Sequence, residues 1–184
     1  AGLALFKVDP PAAIAAYLRA LAIAPGSLSV RNNLANALAS TGNRTESIAE
    51  FREIVKRKPD YSIAHYNLGR ALFYENDFET ALLHLQKAVD LAPAERRQQH
   101  YLAWCLQRME RWRDALAASR AAIEVLPEAG SLWRDRARSE QSLGQTDAAM
   151  ASAMKAAELA PRDAANHDLL ASLYVARGDL VRAL

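Results

Sequence analysis

Five of the seven prolines in this chain, Pro25, Pro59, Pro93, Pro127 and Pro161, recur at intervals of 34 residues. The proline ring fixes φ and removes the amide hydrogen, so proline sits well just past a helix end and badly inside one. A beat of helix-ending prolines at this spacing predicts stacked two-helix units, none of which can bury its apolar face alone. The 184 residues leave room for several such units. Only seven glycines and seven prolines argue against disorder and against a loop-rich β fold.

Aligning the chain in rows of this period gathers its residues into columns. Leu34, Leu68, Leu102, Arg136 and Leu170 form one column, followed by Ala35, Gly69, Ala103, Ala137 and Ala171. Leu38, Leu72, Leu106, Glu140 and Tyr174 lie one helical turn on, so both bulky columns share a helix face, with small residues letting a second helix approach. The second half of each row repeats the scheme, through Ala13, Ser47, Ala81, Ala115, Ala149 and Ala183, then Tyr17, Phe51, Leu85, Ser119 and Ala153, then Ala20, Ile54, Ala88, Ala122 and Ala156. Between the halves runs a turn column of Gly42, Asn76, Glu110, Gly144 and Gly178, where glycine or asparagine suits the left-handed conformation that closes a helix. Thr45 and Asp77 are expected to cap the helices that follow. Arg136 and Glu140 replace apolar residues, which predicts an exposed intrahelical pair and a looser joint in that row.

These columns resemble the tetratricopeptide repeat, whose pattern fits best from Ser62 to Glu95 through Leu68, Gly69, Leu72, Ala81, Leu85, Ala88 and Pro93. The resemblance runs over the whole chain. It implies an all-α fold, a right-handed α-solenoid of antiparallel helix pairs with about five repeats. The expected organisation is a single array over 1–184, with a partial repeat 1–27, repeats 28–61, 62–95, 96–129 and 130–163, and a partial repeat 164–184. Both ends fall inside a unit, so an excerpt of a longer array and end-to-end self-association through open faces are expected.

In arrays of this family the first helices line a concave surface. By that resemblance the peptide-binding residues are Asn33, Asn36, Asn67, Arg70, Tyr66, Tyr74, Arg97, Tyr101, Trp104, Arg108, Arg134 and Arg138. Asparagine amides both donate to and accept from a peptide backbone, and arginine forks match carboxylates. Each feature has a plainer alternative: solvated asparagines, aromatics engaged in packing, arginines on an ordinary charged face. Family members that hold a chaperone C-terminus use a carboxylate clamp. Asn36, Asn67 and Arg97 match it, but Asn32 and Tyr101 stand where charge is needed, so that ligand is not expected. The implied function is a non-catalytic scaffold for an extended, partly acidic peptide or protein segment. The alternative is a docking or regulatory arm of a larger bacterial enzyme, such as a glycosyltransferase, sulfotransferase or sulfatase.

Catalysis finds little support. His65, His84, His100 and His167 include no pair at i, i+4 spacing, and His65 and His167 share the bulky column of Trp133. There is no phosphate-cradling glycine loop or nucleophile elbow, so no cofactor, metal or catalytic residue is expected. A formal charge of +2 and columns lacking a two-residue code argue against nucleic acid. No stretch is long enough for a membrane span, and Ala1 to Asp9 lack the pattern of a signal peptide. Cys105, alone in the chain, reads as a buried inert thiol.

Overall fold

The computed structural model describes residues 9–179, which contain α-helices and no strand. Ala183 and both chain ends, with the expectations that rest on them, lie outside the described residues. The chain divides into two compact units, Ala1–Leu91 and Ala92–Leu184. The first contains α1 (Pro10–Ile23), α2 (Leu28–Ser40), α3 (Arg44–Arg57), α4 (Ser62–Tyr74) and α5 (Phe78–Leu91). The second contains α6 (Arg96–Arg108), α7 (Trp112–Val125), α8 (Gly130–Ser142), α9 (Thr146–Leu159) and α10 (Ala164–Arg177). Within each unit every helix packs on the next, and α6 also meets α8. This is the all-α arrangement of stacked helix pairs that the period implies.

The punctuation follows from backbone chemistry. The prolines lie in the connections between pairs, where a turn bond recurs: Ser27 N to Ala24 O, Tyr61 N to Lys58 O, Glu95 N to Ala92 O, Ala129 N to Leu126 O and Asp163 N to Ala160 O, at 3.1–3.2 Å. Inside each pair the turn column takes positive φ throughout: Gly42 85°, Asn76 61°, Glu110 56°, Gly144 73° and Gly178 81°. The amide that follows closes a bond to the carbonyl five residues back, as in Asn43 N to Leu38 O and Arg111 N to Leu106 O, both 2.9 Å. That bond is the Schellman closure of a helix C-terminus.

Glu110 is the misfit in this column, because an L side chain in the left-handed region costs about 1–2 kcal/mol. Glycine's extra freedom in the unfolded chain takes back about 0.5–1 kcal/mol. Glu110→Gly is therefore expected to stabilise the chain by up to about 1.5 kcal/mol, read as a higher urea midpoint. A lower midpoint counts against strain at this turn.

Capping is only partly as expected. Asp77 Oδ1 accepts from Thr80 N at 3.3 Å, ahead of α5. Thr45 does not cap α3: the cap position falls on Asn43, and Thr45 lies inside the first turn. Asn43 makes no side-chain capping bond, and its amide donates to Thr41 Oγ1 at 3.2 Å.

The small columns form the contact between paired helices. Ala13, Ser47, Ala81, Ala115 and Ala149 are all fully buried. A Cβ on Gly69 would meet Leu85 Cγ at 2.7 Å and the Ala81 carbonyl at 3.1 Å, so α4 and α5 approach more closely than a larger residue at this position would allow. Arg136 and Glu140 do not form the exposed pair expected. Glu140 is 0% exposed, bonded to Arg136 Nε at 2.8 Å and to the Ser152 hydroxyl at 2.7 Å.

Candidate functional site

One polar column turns out to be structural. Arg31, His65, Gln99, Trp133 and His167 each direct a side-chain N–H at the carbonyl of the proline six residues earlier, at 3.4, 3.0, 2.8, 2.8 and 2.8 Å. These side chains share a reachable N–H donor and little else, which the bulk of His65, Trp133 and His167 hid in the sequence.

The bond has a consequence at His65. The Pro59 carbonyl can only accept, so His65 Nε2 carries the proton and Nδ1 is bare. That nitrogen lies 3.0 Å from His84 Nδ1, which must then donate. Burial lowers the pKa of both rings; a raising influence from the Pro59 bond partly offsets this at His65, and His65 lowers His84 further. Lys87 and Arg52 add positive charge nearby. Protonating both rings would set two N–H groups face to face. Above about pH 6.5 both are neutral in folded and unfolded chains. Below it the unfolded chain takes up protons that the folded pair resists, so stability falls with pH. Urea midpoints are expected to drop between pH 8 and pH 5, and the drop to shrink in His84→Ala. An equal drop in that variant would place the effect elsewhere.

In the first unit the asparagine columns are used internally. Asn67, only 6% exposed, donates Nδ2 to Asn32 Oδ1 at 3.0 Å. Asn36 donates to the Asn32 carbonyl at 2.9 Å and accepts from Arg70 Nη2 at 3.1 Å. The Arg70 guanidinium also lies over the buried Tyr66 ring, 5.6 Å from its centroid. Asn33 is half-buried, and its amide makes no hydrogen bond among the described residues. Tyr74 is 50% exposed, edge-on to the buried Phe73. Asn36, Arg70 and Tyr74 meet in a cleft of about 520 Å³, with Ser40, Arg44 and Phe51.

The second unit repeats this plan with other chemistry. The Asn32–Asn67 rung is replaced by His100 and Asp135, with Nδ1 2.5 Å from Oδ2 and Asp135 fully buried. Gln107 supports this rung, donating to the Asp135 carbonyl at 2.7 Å and to Ser139 Oγ at 3.1 Å. The His100 ring stacks on Trp104 and meets Tyr101 edge-on, with centroids 5.8 and 5.9 Å away. Arg134 is committed to Asp163 and to Asn166 Oδ1, and its guanidinium holds the Asp163 carboxyl below the usual range. Arg97 and Arg108 are exposed. Arg138 is half-buried and makes no hydrogen bond or ion pair among the described residues. Trp104, Arg108 and Arg138 line a cleft of about 340 Å³ with Trp112, Ser142 and Leu169. Asn36, Ser40, Arg44, Arg70 and Tyr74 thus reappear two periods later as Trp104, Arg108, Trp112, Arg138 and Ser142.

Arg44 and Trp112 are contributors that the columns did not single out. Trp112 and Arg44 open second helices, outside the wall that the resemblance pointed to. Among the described residues no three His, Cys, Asp or Glu side chains gather to hold a metal, and no helix is long and apolar enough to cross a membrane.

Family models described as tetratricopeptide repeat match residues 32–96 and 133–163, together just over half of the chain. The chain is 31% identical over 118 residues to the TPR repeat-containing thioredoxin TTL4 of Arabidopsis thaliana, an alignment covering 60% of this chain and 17% of that protein. The chain thus spans about a sixth of the length of the curated relatives it matches first. A crystal structure of MamA superposes with a TM-score of 0.78 at 23% identity, covering 86% of this chain and 92% of that one. YrrB, described as a TPR protein with an unusual peptide-binding site, superposes at 0.72 and 18% identity, covering 92% and 87%. At these identities the likeness carries the fold.

Proposed function

The chain belongs to the tetratricopeptide repeat family, and from that premise we propose that it is a non-catalytic scaffold that binds an extended, partly acidic segment of a partner protein on the first helices of its repeats. The observation that carries this reading is the recurrence of one cleft at repeat-equivalent places, each with a half-buried arginine that no carboxylate of the described residues pairs. Much of the other polar wall is spent on rungs within the protein. What remains is cationic and aromatic, which suits an acidic peptide carrying bulky side chains. The peptide-binding site named for YrrB is in keeping with such a role.

Affinity selection from a random dodecapeptide library on the immobilised chain tests the reading. The enriched peptides are expected to be net negative, to bind with a Kd of about 1 μM, and to bind more weakly at high salt. Arg70→Glu with Arg138→Glu should weaken them further and flatten the salt dependence. No enrichment over a blank matrix would overturn the scaffold reading.

A second reading, a docking arm of a larger enzyme, draws on the short span of this chain against relatives such as the repeat-containing thioredoxin. A catalytic domain in the flanking coding sequence would support it, and further repeats would not.

A further inference from the structure

The geometry of the first unit's cleft points to a specificity pocket: we propose that it receives an aspartate or glutamate side chain of the partner on Arg70, with an adjacent bulky apolar residue against Tyr74. The proposal rests on the scaffold reading and names what one of its clefts selects.

The guanidinium is preset. Asn36 Oδ1 fixes one Nη2 at 3.1 Å, and the Tyr66 ring lies 5.6 Å beneath the charge. Both partners are neutral, so they orient the cation without cancelling it. Most of the fork is left to donate, and a carboxylate is the group that accepts two parallel bonds from it. Among the described residues no carboxylate reaches Arg70. The acid at hand, Glu75, lies 3.5 Å from Arg44, and both side chains are well exposed at 41% and 53%. An exposed pair of this kind is weak and yields to a better-placed competitor.

The volume, about 520 Å³, falls within the usual range for ligand pockets. It exceeds what one carboxylate fills. The remaining walls are largely apolar, formed by Ala39, Ala71, the Phe51 floor and the half-exposed Tyr74 ring. An acidic residue alone would leave that surface wet, and an apolar residue alone would bury the Arg70 charge without an anion. The pair satisfies both.

The second unit supplies an internal comparison. Arg138 occupies the equivalent place, but Trp104 replaces the Asn36 acceptor and Arg134 replaces the Tyr66 ring. Arg138 lacks the neutral acceptor and ring that set Arg70, and its charge already acts on the Asp163 carboxyl, so less of it is left for a ligand's anion.

The test uses peptides recovered in the selection, measured by fluorescence anisotropy. Each acidic residue is changed to its amide, and each peptide is titrated against the natural chain, Arg70→Gln, Arg70→Lys and Arg138→Gln. One Glu→Gln peptide change and Arg70→Gln are each expected to weaken binding about tenfold, and to cost little more in combination. Arg70→Lys should fall between, and Arg138→Gln should cost about threefold or less. Recovered peptides without an acid beside a bulky apolar residue, or with full affinity for folded Arg70→Gln, would overturn the pocket and leave the scaffold intact. If Arg70→Gln proves unfolded, the peptide amides and Arg70→Lys decide instead. A selection that yields no binder removes the scaffold reading and this pocket with it.

Discussion

Arg136→Ala is expected to lower the unfolding free energy by about 3 kcal/mol, because it strands a carboxylate that has no water to fall back on. Glu140 is 0% exposed on α8. Its Oε1 meets Arg136 Nε at 2.8 Å, its Oε2 accepts from the Ser152 hydroxyl of α9 at 2.7 Å, and Arg120 of α7 stands off at 3.8 Å. Arg136 is the principal counter-charge, and its guanidinium also covers the Trp133 ring at 5.4 Å. Alanine removes both contributions and leaves the distant Arg120 as the cation paired with Glu140 among the described residues. That remaining cation sets the loss near the low end of the usual range for breaking a buried pair. The repeat supplies its own control. Elsewhere these two columns carry Leu68 and Leu72, or Leu102 and Leu106, so Arg136→Leu with Glu140→Leu restores the apolar pattern. Removing both charges at once avoids the stranded ion, and the double variant should be neutral or more stable by about 1–4 kcal/mol. Urea denaturation of the two variants reads the difference. A double variant as damaged as Arg136→Ala would mean that the α8–α9 joint needs the ionic network itself.

The same pair marks how far a sequence can be read here. The period, the proline turns and the left-handed column were legible because each depends on backbone geometry that a single residue type betrays. Even Glu110, the wrong residue for its place, adopts φ of 56°, since the register of the repeat overrides local preference. The depth of Glu140 was not legible. Burial of a charge depends on Ser152 and Arg120, which come from neighbouring helices at separations that no column displays. The donor column hid for a different reason: arginine, histidine, glutamine and tryptophan share no shape, only an N–H that reaches a proline carbonyl. Among the candidate site residues, Asn67 and Arg134 proved to be tied into rungs and caps. Whether a surface asparagine or arginine is spent internally depends on its rotamer and on the residue one repeat away. The clefts, by contrast, could have been found in the sequence by comparing rows two periods apart and including the starts of the second helices.

Leu68→Ala is expected to cost about 4 kcal/mol, toward the upper end of the usual range of about 2–5 for such a truncation. Leu68 is 0% exposed in α4, and its unit also buries Phe51, Ile54 and Leu85 completely. The cost of a cavity depends on whether the surroundings can close on it. Here they are already in contact at the next residue: the Gly69 Cα faces Leu85 so closely that a Cβ would lie 2.7 Å from its Cγ. With α4 already packed on Leu85 and the Ala81 carbonyl of α5 at Gly69, neither helix has room to move inward and fill the space that leucine vacates. Leu83→Ala on α5 is the matched control, since that side chain is 71% exposed and its loss should stay within about 0.5 kcal/mol. Urea denaturation at pH 8 keeps the His65–His84 pair neutral and out of the comparison. A loss near 2 kcal/mol for Leu68→Ala would show that the hairpin relaxes after all, and would shift the rigid contact from Gly69 to the turns that flank it.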